Sequence, residues 1–308
     1  MLRAALISLS ESRSLRALAE KSSIGQRVSG RFVAGTRVED AIRAAARLNQ
    51  AGLSVSLDNL GENVSTAEEA HRSAQLYDHL LTEIAARSLN ANVSVKLTHM
   101  GIDVDPQLAR EHVSALVTRA GAMSPPNFVR VDMEGSEYTQ RTLDLVHELH
   151  RLLGNEGCVG AVIQSYMRRS EDDVSKLLQD RIRIRLCKGA YSEPPEIAFQ
   201  QKSEVDANYV KLMKILLKSG IYHGLATHDE KIIRAAQAFA DRERIAREAF
   251  EFQMLYGIRR DLQRSLVRDG WRMRVYVPFG SEWYPYLMRR LAERPANLLF
   301  VARNLLRK

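Results

Sequence analysis

The chain has 308 residues, 45% of them hydrophobic, and a formal net charge of +8. That length suits one barrel-sized domain or two smaller ones. No run approaches the roughly 18 apolar residues of a membrane span, and Cys158 and Cys187 are too far apart for a disulfide framework or a cysteine-rich metal site.

The opening residues lack an uninterrupted signal core, so a cytoplasmic compartment is expected. The positive charge suits an anionic ligand, an acidic membrane surface or nucleic acid. Lys and Arg are nevertheless scattered among Asp and Glu, with no basic stripe interleaved with aromatics, and nucleic acid is set aside.

Helical spacing runs from Leu2 to about Lys21 and again from Val38 to Gln50, with a linker at Val28–Thr36 broken by Gly30 and Gly35 and ending on Thr36 as a cap. Residues 1–52 are read as a helical arm and 53–308 as the main domain. From Leu53 a rhythm sets in of β-branched runs, short polar or glycine turns and amphipathic helices. The expected strands are Leu53–Leu57, Asn92–Lys96, Phe128–Asp132, Gly160–Gln164, Ile182–Cys187, Tyr222–Ala226, Ala249–Gln253 and Arg272–Val277. Eight strands alternating with helices over about 250 residues predict an α/β (βα)8 TIM-type barrel. A doubly wound sheet would carry a glycine-rich phosphate turn after its first strand, and neither G-x-G-x-x-G nor a Walker A motif occurs.

Polar groups stand at every strand end: Asp58 and Glu62, Lys96, Asp132, Gln164, Arg185 with Lys188, Thr227 with His228, Gln253, and Tyr276. In a barrel these ends converge on one face. Lys96 closes an apolar strand, so its ammonium is either ion-paired or chemically employed, as a Schiff-base nucleophile or as an anion clamp. Asp132 is the expected carboxylate partner. Of Arg181, Arg183 and Arg185, only the last reaches the mouth, and Gly189 allows close backbone approach to a ligand. Gly224-Leu-Ala-Thr-His-Asp leads into a helix whose N-terminal amides favour phosphate, although Thr227 can equally be just its cap. His147 and His150 share a helix face but find no third ligand and are discarded as a metal pair. After the last strand, Pro278 and Gly280 break the pattern, and a helix from about Tyr284 puts Tyr286, Arg289, Arg290 and Glu293 on one face. Adjacent arginines there suit a carboxylate or phosphate.

Seven ordered blocks resemble the proline dehydrogenase family, in its short monofunctional bacterial form. They are Ser94-Val-Lys-Leu-Thr, Val129-Arg-Val-Asp-Met-Glu, Val162-Ile-Gln-Ser-Tyr, Ile184-Arg-Leu-Cys-Lys-Gly-Ala-Tyr, Leu225-Ala-Thr-His-Asp, Glu251-Phe-Gln-Met-Leu-Tyr-Gly, and Tyr276-Val-Pro-Phe-Gly with Tyr286-Leu-Met-Arg-Arg-Leu-Ala-Glu. The resemblance implies a distorted barrel with N-terminal helices and a final helix over its mouth. It also implies FAD-dependent oxidation of L-proline to Δ1-pyrroline-5-carboxylate, with electrons passed to a membrane quinone by a protein resting peripherally on the membrane. Lys96, Arg289 and Arg290 would hold the proline carboxylate, with Ala190, Tyr191, Leu255 and Tyr276 around the ring. Met133, Gln164, Arg185, Lys188, Gly189, Ala190, Thr227 and His228 match flavin-contacting positions, and Arg185 would lie near flavin N5. Asp132 and Arg185 are the expected catalytic pair, Asp132 steadying Lys96, and Glu62 is the expected gate closing onto Arg289. A Schiff-base lyase working through Lys96 is the rival reaction, and a non-enzymatic binding module the third reading.

Overall fold

The computed structural model describes residues 22–61, 63–152 and 157–293, and only the backbone of residues 23, 24, 26–28, 152 and 289–293. Eight parallel strands close on themselves in chain order: β1 Ser54–Asn59, β2 Ala91–Val95, β3 Val129–Val131, β4 Val159–Gln164, β5 Arg183–Cys187, β6 His223–Ala226, β7 Phe250–Leu255 and β8 Met273–Phe279. Closure is made by β1 against β8, with Ser56 opposite Tyr276 and Asp58 opposite Pro278. The helices are α1 Ser23–Phe32, α2 Val38–Gln50, α3 Ala67–Ala86, α4 Pro106–Gly121, α5 Ser136–Leu152, α6 Ser170–Gln179, α7 Lys202–Lys218, α8 Glu230–Glu243, α9 Arg260–Arg268 and α10 Trp283–Glu293. Among the described residues, no helix is long and apolar enough to cross a membrane.

Alternation along each strand sorts the side chains. Val55, Leu57, Val93, Val95, Val131, Ile184, Leu186, Phe252, Val275 and Val277 are buried in the main apolar cluster with the helices. Their neighbours Ser56, Ser94, Arg130, Arg185, Glu251, Gln253 and Arg274 are just as buried but polar. Most barrels of this kind fill their interior with branched aliphatic side chains. Here the interior is a hydrogen-bonded polar column, and apolar burial is carried by the layer between strands and helices.

The ends of the chain distort the plan. Ala41, Ile42, Ala44 and Ala45 of α2 are buried in the main cluster, packed against β8 and β1, the place a helix following β8 would fill. The helix that does follow β8, α10, instead sets Trp283, Tyr284, Tyr286 and Leu287 against Val33 and Leu60 in a separate apolar cluster. It thereby lies over the mouth.

Local sequence explains most boundaries. Thr66 and Asp105 cap α3 and α4 through their side chains, Asp105 with Pro106 in the first turn. Three expectations need correction. The glycine-broken linker is largely helix, α1 running through Gly30 to Phe32, because one glycine costs a helix only about 1 kcal/mol. The cap of α2 falls on Arg37 rather than Thr36, with Asp40 accepting from both the Thr36 and Arg37 amides. Strand β8 also continues through Pro278, whose carbonyl accepts from the Ala34 amide at 2.9 Å. The Leu2–Lys21 helix lies outside the described residues.

Candidate active site

A cavity of about 370 Å³ opens at the C-terminal ends of the strands, the size of a small-molecule site. Two charged assemblies form its floor. On one side the Lys96 ammonium donates to both oxygens of Asp58, at 2.9 and 3.0 Å. Asp58 also accepts from the Tyr77 hydroxyl at 3.2 Å. Burial pushes the Asp58 carboxyl above the usual range, opposed by the Lys96 charge and reinforced by that of Asp132.

On the other side Arg185 is held on three flanks. Its Nη1 donates to Asp132 at 2.7 Å, its Nε to Gln253 at 2.6 Å, and its Nη2 to Ser56 and Ser94 at 3.2 and 3.0 Å. The Tyr276 hydroxyl donates to the other oxygen of Asp132 at 2.8 Å, and the guanidinium carbon stands 5.1 Å from the centre of the Tyr276 ring. Burial, then the charges of Asp132 and Asp58, raise the Tyr276 phenol far above its ordinary range, so it stays a donor.

The structure thus changes one expected pairing: Lys96 is bonded to Asp58, and Asp132 to Arg185 and Tyr276. Strand tilt and stagger in a closed barrel bring the end of β1 to the end of β2, which chain order alone does not specify.

The remaining wall comes from β4 through β7. Met133, Gln164, Lys188, Gly189, Ala190, Tyr191, Thr227, His228 and Leu255 line the same cavity. The Gln164 amide donates to the Glu134 carbonyl at 2.9 Å. Lys188 bonds Asp229 at 3.0 Å and also reaches Asp206. His228 accepts the Leu255 amide hydrogen at 3.0 Å. Gly189 sits at φ +111, and a β-carbon there would fall 2.2 Å from the Tyr166 ring, so the backbone lies flat against Tyr166 only without a side chain. The cap of α8 is Asp229, which accepts from the Lys231 amide, rather than Thr227. Its carboxylate stands at the helix end where a phosphate was expected.

Glu62 lies outside the described residues. Arg289 and Arg290 belong to α10, but their side chains lie outside them too. Sequence reasoning assigned no role to Asp58 or Gln253, although both were visible as polar strand ends. It also overlooked Ile258, Cys187 and the inward turn of Tyr286 into the cavity. Period two from Ser56 would have placed Asp58 on the inner face.

The residues suit a flavin. Gln253, Asp132, Ser56 and Ser94 take four of the five guanidinium hydrogens of Arg185, leaving an Nη1 hydrogen for a ligand acceptor in the cavity this side chain lines.

The chain is similar to known proteins in both sequence and fold. The family model described as Proline dehydrogenase matches residues 41–303. The chain is 38% identical to Proline dehydrogenase 1 of Bacillus subtilis (strain 168) over 309 residues, 100% of both chains. It is 39% identical to the Proline dehydrogenase of Deinococcus radiodurans over 282 residues, 90% of this chain and 89% of the relative. Among solved structures, proline utilization A (PutA) from Bdellovibrio bacteriovorus, inactivated by N-propargylglycine, superposes with a TM-score of 0.81 at 27% identity, covering 87% of this chain and 32% of that one. PutA of Bradyrhizobium japonicum gives 0.75 at 26% identity, covering 90% and 32%. The chain therefore spans about a third of the PutA chains it matches.

Proposed function

The chain belongs to the proline dehydrogenase family and is an enzyme of proline oxidation; from that premise we propose that it converts L-proline to Δ1-pyrroline-5-carboxylate with FAD as its cofactor and a membrane quinone as final acceptor. The observation that carries this reading is the gathering of Lys96, Asp132, Arg185 and Tyr276 from four strands around one cavity.

Lys96, with Arg289 and Arg290 assigned from the resemblance, holds the substrate carboxylate. Several cations on one carboxylate fix the ring's orientation and penalise molecules lacking that group. Ala190, Tyr191, Leu255 and the Tyr276 ring enclose the apolar carbons. Met133, Gln164, Arg185, Lys188, Gly189, Ala190, Thr227 and His228 would hold the flavin. When bound, the flavin supplies the hydride acceptor at N5. Asp132 takes hydrogen bonds from Arg185 and Tyr276 together, so the cation keeps one position in the floor of the cavity. Glu62, again from the resemblance, closes the site by pairing with Arg289. A hydride leaves the carbon beside nitrogen most readily when the amine is neutral, and cationic neighbours favour the neutral amine. The rate should therefore rise with pH.

The net charge of +8 supports a peripheral contact with an acidic membrane surface on the cytoplasmic side. A Schiff-base role for Lys96 is disfavoured, since bonding to both oxygens of Asp58 is the partnership of a charged lysine, not of a neutral nucleophile.

An absorption spectrum of the purified protein before and after anaerobic L-proline tests the proposal. A flavin band that bleaches supports cofactor, substrate and reaction together; a colourless protein, or a band that proline leaves unchanged, overturns it.

A further inference from the structure

Beneath the cavity the barrel interior holds a second charged layer that the reaction does not touch. Glu251 of β7 is 3% exposed and accepts from Arg274 Nε at 2.7 Å, from the Tyr222 hydroxyl at 2.9 Å and from Gln253 Nε2 at 2.6 Å. Arg274 is itself tied to the Val55 carbonyl. One step nearer the mouth on the same face of β7, Gln253 presents its Oε1 to Arg185 Nε at 2.6 Å. Room for this amide comes from β6: a β-carbon on Gly224 would lie 2.3 Å from Gln253 Nε2, and Gly224 stands in register with both Glu251 and Arg185.

An amide has a donor end and an acceptor end, and its partners decide which way it faces. An ionised carboxylate only accepts. Burial works against the charge of Glu251, but Arg274 and the three hydrogen bonds hold its carboxyl below the usual range. The nitrogen of Gln253 must therefore face Glu251, which turns its oxygen to Arg185. With the amide reversed, its nitrogen would confront a guanidinium that can only donate.

We infer that Gln253, oriented by Glu251 from the layer below, is a positioning residue for the proline-oxidising site, fixing the plane of Arg185. Asp132 and the two serines hold the Nη ends, and Gln253 holds the Nε edge, so rotation of the guanidinium about its stem is blocked. This rests on reading the cavity as the proline-oxidising site.

The test uses the flavin-loaded enzyme and the variant Gln253→Met, which keeps length and volume but removes both polar atoms. Glu251 then retains Arg274 and Tyr222. The expected result is a fall in kcat of about tenfold to a hundredfold, with KM for proline within about threefold and unfolding temperature close to wild type. The midpoint potential of the bound flavin should also shift to a more negative value, because a displaced Arg185 no longer favours the reduced ring. Gly224→Ala, which crowds the amide from the neighbouring strand without deleting it, should move kcat and potential in the same directions, and it decides alone where Gln253→Met does not fold. Folded variants with wild-type kcat and potential would overturn the inference, as would a loss confined to stability. Wild-type enzyme whose flavin is not reduced by proline would instead overturn the proposed function, leaving the potential shift to decide the role of Gln253.

Discussion

Two aspartates stand at the C-terminal ends of β1 and β3, and their surroundings differ in kind. Asp58 is bonded by Lys96 and by the Tyr77 hydroxyl, with Tyr276 and Asp132 close enough to act on it, a compact ion pair in the cavity floor. Asp132 joins a guanidinium locked by Gln253 and two serines to the hydroxyl of Tyr276, the top of a polar column running down the barrel. A small pair can keep a cation ready for an incoming anion. A column fixes a cation in place, as required beside reacting atoms, where a misplacement of about 1 Å can cost a hundredfold in rate.

The sharpest way to break this contrast is Asp132→Ala. It releases Arg185 and leaves the Tyr276 hydroxyl without its acceptor, so kcat/KM for proline should fall by about a hundredfold or more, mostly in kcat. Steady-state kinetics showing a change confined to KM would place Asp132 in the gripping role instead.

How much of this was legible in the sequence divides along the same line. The β-branched runs and their spacing gave eight strands and a barrel, because apolar burial in the strand–helix layer writes itself into local alternation. The strand-end rule located Lys96, Asp132, Arg185 and Tyr276. Pairing was not legible, since the partner of Lys96 depends on stagger between β1 and β2 rather than on either strand alone. Nor was the interior column: Gln253 stood out as a polar strand end, but nothing in the chain tied it to Glu251 and Arg274 until closure turned that face inward. The place of α10 over the mouth came from the family resemblance alone, and that of α2 against β1 and β8 was hidden, because ordinary helical patterns do not say which groove of the barrel a helix fills.

On the Asp58 side, Lys96→Met should raise KM for proline by about tenfold to a hundredfold with a smaller change in kcat, the signature of lost carboxylate binding. It also leaves Asp58 buried without its countercharge, a destabilisation of about 3 kcal/mol measurable by urea denaturation. An unchanged KM would remove Lys96 from the substrate.

Tyr276→Phe sharpens the comparison more gently, removing one hydrogen bond to Asp132 while keeping the ring over Arg185. A charge-assisted bond of this kind is worth about 1.5 kcal/mol, so kcat/KM should fall about tenfold. A fall as large as that of Asp132→Ala would mean that the hydroxyl, and not Arg185, is the chief partner of Asp132.

The last effect concerns stability rather than turnover. Burial and the charge of Lys96 hold His99 down to about 4; burial and then Arg130 and Arg183 hold His223 down to about 3. His223 Nδ1 accepts the Ile184 amide hydrogen at 3.0 Å, a bond that protonation would abolish. Both histidines protonate in the unfolded chain near pH 6.5 but resist it when folded. Their stabilisation is present above that pH and lost as pH falls toward the folded values, by about 1.4 kcal/mol per pH unit for each. The urea midpoint should therefore be lower at pH 5 than at pH 7, and His223→Gln should flatten the slope; equal midpoints at the two pH values would contradict it.

Stopped-flow reduction of the flavin under anaerobic conditions, comparing L-proline with pyrrolidine, the same ring without its carboxylate, tests most directly whether the two charged assemblies act on one small amino acid. Proline should reduce the flavin with a second-order rate constant at least about a hundredfold above that for pyrrolidine. Equal reduction by the two rings would mean that the cations at the strand ends do not grip the substrate.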